Sequence, residues 1–454
     1  MKNSSSWTID SWKNFPALQQ PEWPDLSDLE KVVKELSSCP PMVFAGEIRL
    51  LENQLEKACN RQAFLLQAGD CAESFLDFSA DSIRDKLKVI LQMAVILTYG
   101  SGVPVVKVGR IAGQFAKPRS SDTEIVDGVP IPSFRGHMVN DETPTAEARR
   151  PNPQRLITAY NQSTSTLNLL RAFTKGGFAD LSRVHSWNRE FVSSSSAGQH
   201  YEKIAMDIER ALSFMKACGI DLYNEPTIKE VDFFTSHEAL ILEYEQALTR
   251  IDSITEDPYG CSAHMLWVGD RTRQLNGAHL EYVSGIKNPI GVKVGNSVEP
   301  DELIQVIDKL NPENKAGRIT LITRFGRDKI QHKLPPLIET VEKNGFNVLW
   351  ICDPMHGNTY VTENNIKTRD FSDVMDELKS FFEIHKKFGT WPGGIHIELT
   401  GDGVTECVGG ETETSEENLE LRYTTMCDPR LNARQAIDMA FRVADMLTAN
   451  KNRA

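Results

Sequence analysis

The feature that most constrains this chain is an alternation repeated along most of its length. A short run rich in Val, Ile and Leu is followed by a longer stretch with apolar residues at helical spacing, and eight such units can be counted. A parallel strand needs a crossover before its neighbour, so strand–helix repeats of this kind build a parallel sheet with helices packed against it. The expected strands are Ala63–Ala68, Val103–Val108, Glu230–Thr235, His264–Val268, Ile290–Val294, Ile319–Thr323, Asn347–Cys352 and Gly394–Leu399. The helices expected after them are Ser82–Tyr99, Gln154–Phe173, Ser236–Thr249, Thr272–Val283, Asp301–Leu310, Leu334–Lys343, Ser372–Phe388 and Ala433–Leu447. Leu181–His185 competes for the third strand. Glu230–Thr235 is preferred because the amphipathic run HEALILEYEQAL follows it almost at once.

Eight β/α units predict an α/β fold, specifically a (β/α)8 TIM barrel. A doubly wound open sheet is the alternative, but no G-x-G-x-x-G follows the first strand. A plain barrel takes roughly 250 residues, and this chain has 454. The surplus is read as an N-terminal extension over 1–58, serving assembly or regulation, and additions to a catalytic barrel over 59–454. Those additions are a helical insertion at about 178–226 and a long loop at 111–151.

Charge and cysteine usage narrow the function. A formal net charge of −13 argues against a general nucleic-acid binder, so an anionic ligand must be drawn by a local cluster of cations. The eight cysteines are scattered and form no C-x-x-C pair, which points to a reducing compartment. The opening MKNSSSWTIDSW has no apolar core of a signal peptide, and the apolar run Val89–Leu97 is too short to cross a bilayer. A cytoplasmic protein without membrane contact is expected.

Barrel enzymes assemble their sites at the C-terminal ends of the strands. Here those ends carry Cys71, Arg110, Trp267, Asp270, Arg271, Lys293, Arg324, His356 and Glu398, with Asp428 in the loop after the last strand. Cys71, His356, Glu398 and Asp428 have metal-binding side chains of mixed softness, suited to divalent Mn, Fe, Co or Zn. Taken singly, each is more ordinarily a structural residue, and only their convergence on one face points to a metal. Arg110, Lys117, Arg119, Arg271, Lys293 and Arg324 form a second set, costly to bury unless they meet phosphate or carboxylate oxygens. Lys117, Arg119 and Ser120 share the long loop after strand two, stiffened by Pro118. Two groups of cations imply substrates with at least two separate anionic groups.

The blocks QAGDCAES (67–74), KVGRIAGQFAKPRS (107–120), SHEALILEYE (236–245), WVGDRTRQLNGAH (267–279), CDPMHGNT (352–359), GGIHIELTGDGVTEC (393–407) and CDPRLN (427–432) resemble the type II, plant-like 3-deoxy-D-arabino-heptulosonate 7-phosphate (DAHP) synthases. The resemblance runs from about Trp7 to Leu447. It implies condensation of phosphoenolpyruvate with erythrose 4-phosphate, the first step of aromatic biosynthesis, on a metal bound by Cys71, His356, Glu398 and Asp428. Manganese is favoured among Mn, Co, Fe and Zn. It also implies that Arg110, Arg271, Lys293 and Arg324 hold phosphoenolpyruvate, that Lys117, Arg119 and Ser120 clamp the phosphate of erythrose 4-phosphate, and that Trp267 lines the substrate site. Lys293, Asp270 and Arg271 are the expected catalytic groups. One departure stands out: the family reads Glu where this chain has Asp270, one methylene shorter. Aromatic effectors and a homodimer or homotetramer are further expectations. The alternatives are a catalytically altered barrel that binds aromatic metabolites as a regulator, and a condensing enzyme for a longer aldose phosphate. Cys427, beside Asp428, is a candidate for a redox disulfide with Cys71.

Overall fold

In the computed structural model, which describes residues 7–126, 128–195, 198–220 and 230–451, eight parallel strands close into a ring. They are β1 (Phe64–Gly69), β2 (Val105–Arg110), β3 (Phe234–Glu238), β4 (Met265–Val268), β5 (Ile290–Gly295), β6 (Ile319–Arg324), β7 (Leu349–Cys352) and β8 (Gly394–Glu398). Each pairs with its neighbour in chain order, and β8 closes on β1 with Gly69 opposite Glu398. The expected (β/α)8 barrel is the fold observed. Seven of the eight strands overlap their expected positions to within a residue or two at each end.

The third strand is the correction. It starts at Phe234, not Glu230, and runs through Ser236, His237 and Glu238, where the helical spacing predicts the first turn of a helix. Pairing with β4, Ser236 opposite Met265 and Glu238 opposite Trp267, overrides the helical periodicity. The helix that follows is only Leu242–Ala247, and the chain then forms a hairpin, Thr249–Ile251 with Pro258–Gly260. The rejected run Leu181–His185 opens a helix instead, capped by the Asp180 carboxylate, which accepts from the amides of Ser182 and Arg183.

The helices are α1 (Leu26–Ser38), α2 (Ala45–Cys59), α3 (Ala80–Ser101), α4 (Gln154–Lys175), α5 (Leu181–Ser194), α6 (Gly198–Ala217), α7 (Leu242–Ala247), α8 (Ala278–Gly285), α9 (Pro300–Leu310), α10 (Ile330–Lys343), α11 (Phe371–Phe388) and α12 (Ala433–Lys451). Helix α8 starts later than the expected Thr272, because Gly269–Gly277 is occupied by a turn-rich loop at the barrel mouth. Helix α10 starts earlier and runs through Pro335 and Pro336. The insertion supplies α5 and α6; its residues 196, 197 and 221–226 lie outside the described residues. The long loop after β2 carries a hairpin, Thr123–Val126 with Val129–Pro132. No helix among the described residues is long and apolar enough to cross a membrane.

Helix α2 closes the floor of the barrel. Leu51, Leu55 and Ala58 on its inner face join Leu65, Val106, Val108, Phe234, Met265, Ile322 and Ile351 in one fully buried core. Burying a leucine of this kind is worth ~1.5–3 kcal/mol. The apolar filling leaves the opposite, C-terminal end as the polar mouth.

Candidate active site

The sequence delivers reactive groups to that mouth by local geometry. Strand β1 ends at Gly69, whose φ of +147° and whose close approach to the Arg110 carbonyl, 2.5 Å from where a Cβ would stand, admit no side chain. The chain turns there and brings Cys71 over the barrel. In β8 the period of two puts His396 and Glu398 on the same face. Asp428 arrives on the loop before α12. That loop is fixed by Arg430, which pairs with Asp70 at 3.0 Å and Glu406 at 2.8 Å, and by Arg369, which donates to the Pro429 carbonyl and pairs with Glu398 Oε2 at 2.9 Å.

Cys71, Glu398 and Asp428 each offer one donor atom, all within 4.8 Å of one another. His356 borders this cluster, its Nε2 3.1 Å from Glu398 Oε1 and 4.0 Å from Asp428 Oδ2. The other ring nitrogen, Nδ1, lies 2.7 Å from Asp353 Oδ2. An ionised carboxylate only accepts, so Nδ1 carries a hydrogen, and Nε2 is the nitrogen turned to the two further carboxylates. Such an array of donors repels itself unless a cation sits among them. The Lys117 ammonium stands in that place, 2.8 Å from Asp428 Oδ2, 2.9 Å from Cys71 Sγ and 3.5 Å from Glu398 Oε1. Burial alone would push Lys117 down, but Asp428, Cys71 and Glu398 outweigh it and hold it charged well above the usual lysine range. Burial likewise pushes Glu398 and Asp428 up. His356 and Lys117 for the first, and Lys117 for the second, outweigh it and keep both well below the usual carboxylate range. Burial, then Glu398, pushes the Cys71 thiol well up, so a metal binding there as thiolate complex must displace a proton. One sulfur, one imidazole nitrogen and two carboxylates around a point that already holds positive charge fit a divalent first-row ion.

Above the cluster opens a cavity of about 380 Å³. Its wall includes Arg110, Lys117, Arg119, Ser120, Trp267, Asp270, Arg271, Lys293, Arg324, His356 and Asp428, so it gathers every sequence-predicted site residue except Cys71 and Glu398, which are buried beside it. Arg110 pairs with Glu398 at 2.9 Å and lies 5.0 Å over the Trp267 ring. Lys293 pairs with Asp353 and lies 2.8 Å from His396 Nε2. Burial lowers Lys293 to about 8; Asp353 opposes that and Arg110 adds to it. Arg324 donates to the His356 carbonyl at 3.2 Å. Arg271 donates to Ser120 Oγ at 2.8 Å, joining the loops after β4 and β2. Arg119 pairs with Glu124 at 3.2 Å, so within this loop Lys117 turns to the thiol–carboxylate cluster while Arg119 and Ser120 face the outer wall. Asp270 Oδ1 accepts from Arg273 Nε at 3.3 Å.

Sequence reasoning missed five members of this site: Glu238, Asp353, His396, Lys367 and Arg369. Glu238 lines the cavity, and burial raises its carboxyl against the pull of Lys117, Lys293, Arg110 and Arg271. It was hidden because residues 236–238 were assigned to a helix. His396 had a usable signal, since in Gly394–Glu398 it alternates onto the face of Glu398. Arg369 and Lys367, which pairs with Asp428, come from a hairpin (Thr359–Val361 with Lys367–Arg369) that no periodicity announced.

Fold and site together define a (β/α)8 barrel with a cation-lined pocket built over a thiol–carboxylate cluster at its strand ends. The family model described as the Class-II DAHP synthetase family matches residues 7–444, and the chain belongs to that family. It is 55% identical over 437 residues to the phospho-2-dehydro-3-deoxyheptonate aldolase of Streptomyces coelicolor, covering 96% of each chain. It is 48% identical over 445 residues to the phospho-2-dehydro-3-deoxyheptonate aldolase AroG of Mycolicibacterium smegmatis, covering 97% of this chain and 94% of that one.

Proposed function

We propose that the protein condenses phosphoenolpyruvate with D-erythrose 4-phosphate and water to give DAHP and inorganic phosphate. The observation that carries this reading is the meeting of seven cations around one pocket with the Cys71, Glu398 and Asp428 donor cluster beside it, bordered by His356. Cys71, His356, Glu398 and Asp428 would hold a divalent ion, which when bound supplies Lewis-acid polarisation of the aldehyde. The donor set of one sulfur, one imidazole and two carboxylates suits Mn, Co, Fe or Zn, and manganese is favoured among them on the family resemblance.

The chain's own residues do the rest. Arg110, Arg271, Lys293 and Arg324 bind the carboxylate and phosphate of phosphoenolpyruvate, where arginine forks suit planar oxyanions. Arg119 and Ser120 hold the phosphate of the aldose at the outer wall, and Lys117, displaced from the donor cluster by a bound ion, would join them. That placement directs C3 of phosphoenolpyruvate at the aldehyde carbon, and water then adds at C2 before phosphate leaves. Lys293, near 8, holds a transferable proton at Nζ for the departing phosphate. Asp270, with Arg271, orders the polar edge of the pocket. Trp267 gives the two inner cations an apolar, water-excluding wall.

A cavity of about 520 Å³ between α3, β2 and α5, lined by Leu91, Val95, Leu181 and Val184 with Lys107, supports regulation by aromatic effectors. The eight cysteines, all free, support a cytoplasmic setting. Assembly as a homodimer or homotetramer through the N-terminal extension belongs to the same reading. Phosphate release with both substrates and a divalent metal tests the activity. Absence of release under all four metals overturns it and favours the regulatory barrel.

A further inference from the structure

Beneath the pocket a chain of hydrogen bonds crosses the barrel interior, and every direction in it can be deduced. The Gly109 carbonyl only accepts, so Ser236 Oγ, 3.1 Å away, must donate to it. Ser236 Oγ therefore accepts from Gln67 Nε2 at 2.9 Å. That fixes the Gln67 amide with Oε1 turned to His396 Nδ1 at 2.8 Å, where the carbonyl oxygen can only accept. His396 must then carry its hydrogen on Nδ1 and leave Nε2 bare. Two cations converge on that lone pair, Arg110 Nη1 at 2.5 Å and Lys293 Nζ at 2.8 Å. Gln67, Ser236, His396, Arg110 and Lys293 are all at most 5% exposed, so no solvent competes for these bonds. A backbone carbonyl one residue before Arg110 thus sets the tautomer of a histidine whose acceptor is shared by Arg110 itself.

We propose that His396 is a positioning residue for the anionic substrate: its Nε2 lone pair, locked by Gln67 and Ser236, draws Arg110 and Lys293 together as paired donors for phosphoenolpyruvate. Two like charges would otherwise part, and among the described residues no carboxylate forms an ion pair with both, since Arg110 pairs with Glu398 and Lys293 with Asp353. A neutral acceptor suits the task better than a third carboxylate, because it leaves the cations their charge for the ligand. Trp267 closes the same unit, its ring 5.5 Å from the His396 ring and 5.0 Å and 5.9 Å from the two cations. The inference rests on the proposed function only in naming phosphoenolpyruvate as the ligand.

The test uses the full-length protein and equilibrium binding of phosphoenolpyruvate by calorimetry, with thermal unfolding as the check on folding. His396→Leu removes the acceptor and should weaken binding about tenfold to a hundredfold, the range for hydrogen bonds to charged groups. His396→Gln, whose terminal oxygen reaches the place of Nε2, should stay within about threefold of the parent, while His396→Asn, too short, should behave like the leucine variant. Gln67→Leu frees the tautomer and should give an intermediate loss, and Gln67→Leu with His396→Leu should be no weaker than His396→Leu alone. The KM for erythrose 4-phosphate and the affinity for the metal should not move. Folded His396→Leu and Gln67→Leu proteins that bind phosphoenolpyruvate like the parent overturn the proposal. So does a glutamine variant as weak as the leucine one, and if His396→Leu does not fold, the Gln67→Leu and His396→Gln pair decides. A parent protein that binds no phosphoenolpyruvate overturns the functional reading, and this inference with it.

Discussion

Replacing Asp353 by asparagine should weaken metal binding and shift the pH profile together, because one carboxylate serves both functions. Asp353 is fully buried, and its two oxygens have separate duties. Oδ1 accepts from the amides of Met355 and His356, at 3.1 and 3.3 Å, and asparagine can keep both bonds. Oδ2 accepts from Lys293 Nζ and from His356 Nδ1, and in the variant that position becomes an NH2 group facing two donors. Two bonds to charged groups at ~1.5–3 kcal/mol each set an upper bound of ~3–6 kcal/mol. His356 can relieve part of this by moving its hydrogen to Nε2, the atom proposed to bind the metal. A loss of metal affinity of about tenfold to a hundredfold follows, the usual effect of removing a histidine's orienting carboxylate. Lys293 also loses the anion that opposes its burial. Its pKa should fall below about 8, and the alkaline limb of the rate profile should move to lower pH. Metal titration by calorimetry and a kcat/KM profile across pH 6–10 (roughly the span of both limbs) give the two readouts. A folded variant that keeps the parent's metal affinity and alkaline limb refutes the shared role.

Chelation should abolish activity, and a divalent first-row ion should restore it; full activity in protein shown metal-free by elemental analysis would remove the metal from the mechanism. Lys117→Ala and Arg119→Ala should chiefly raise the KM for erythrose 4-phosphate and Arg324→Ala that for phosphoenolpyruvate, and reversed or shared effects would reassign the anion sites. Because Lys117 also touches Cys71 and Asp428, Lys117→Ala alone of the three should change metal affinity. Oxidant should inactivate the enzyme reversibly through a Cys71–Cys427 bridge, slowed by bound metal, and Cys427→Ser should resist; a serine variant inactivated as readily as the parent excludes that pairing.

Much of this molecule is legible in its sequence because the barrel is built from local signals. Strands such as Ile290–Gly295 and helices such as Phe371–Phe388 carry their own periodicity, and Asp370 and Gly389 mark the helix ends. The third strand escapes the pattern because Ser236 and His237 are polar yet buried and Glu238 is polar and partly buried. At the mouth of a barrel the inward face is polar by function, which inverts the usual pattern. The direct metal and substrate candidates could be read from residue type at strand ends. The groups that orient them could not, since Asp353, His396, Gln67 and Arg369 acquire their partners only through tertiary contact. Gln67 and His396 lie 329 positions apart in the chain.

The ring closes between the first and last strands, and the thiol–carboxylate cluster straddles that seam. Cys71 stands at the end of β1, while Asp428, 357 residues later, follows β8. During synthesis Cys71 is therefore made 357 residues before Asp428, and the proposed binding site stays half-formed until β8 and the loop after it have been made. Until then the edges of β1 and β7 are open, the early barrel is an incomplete sheet, and its cysteine has no carboxylate beside it. An ion held across that seam, as proposed, would join a segment made early to one made much later, like a clasp that fastens only after both ends have been strung.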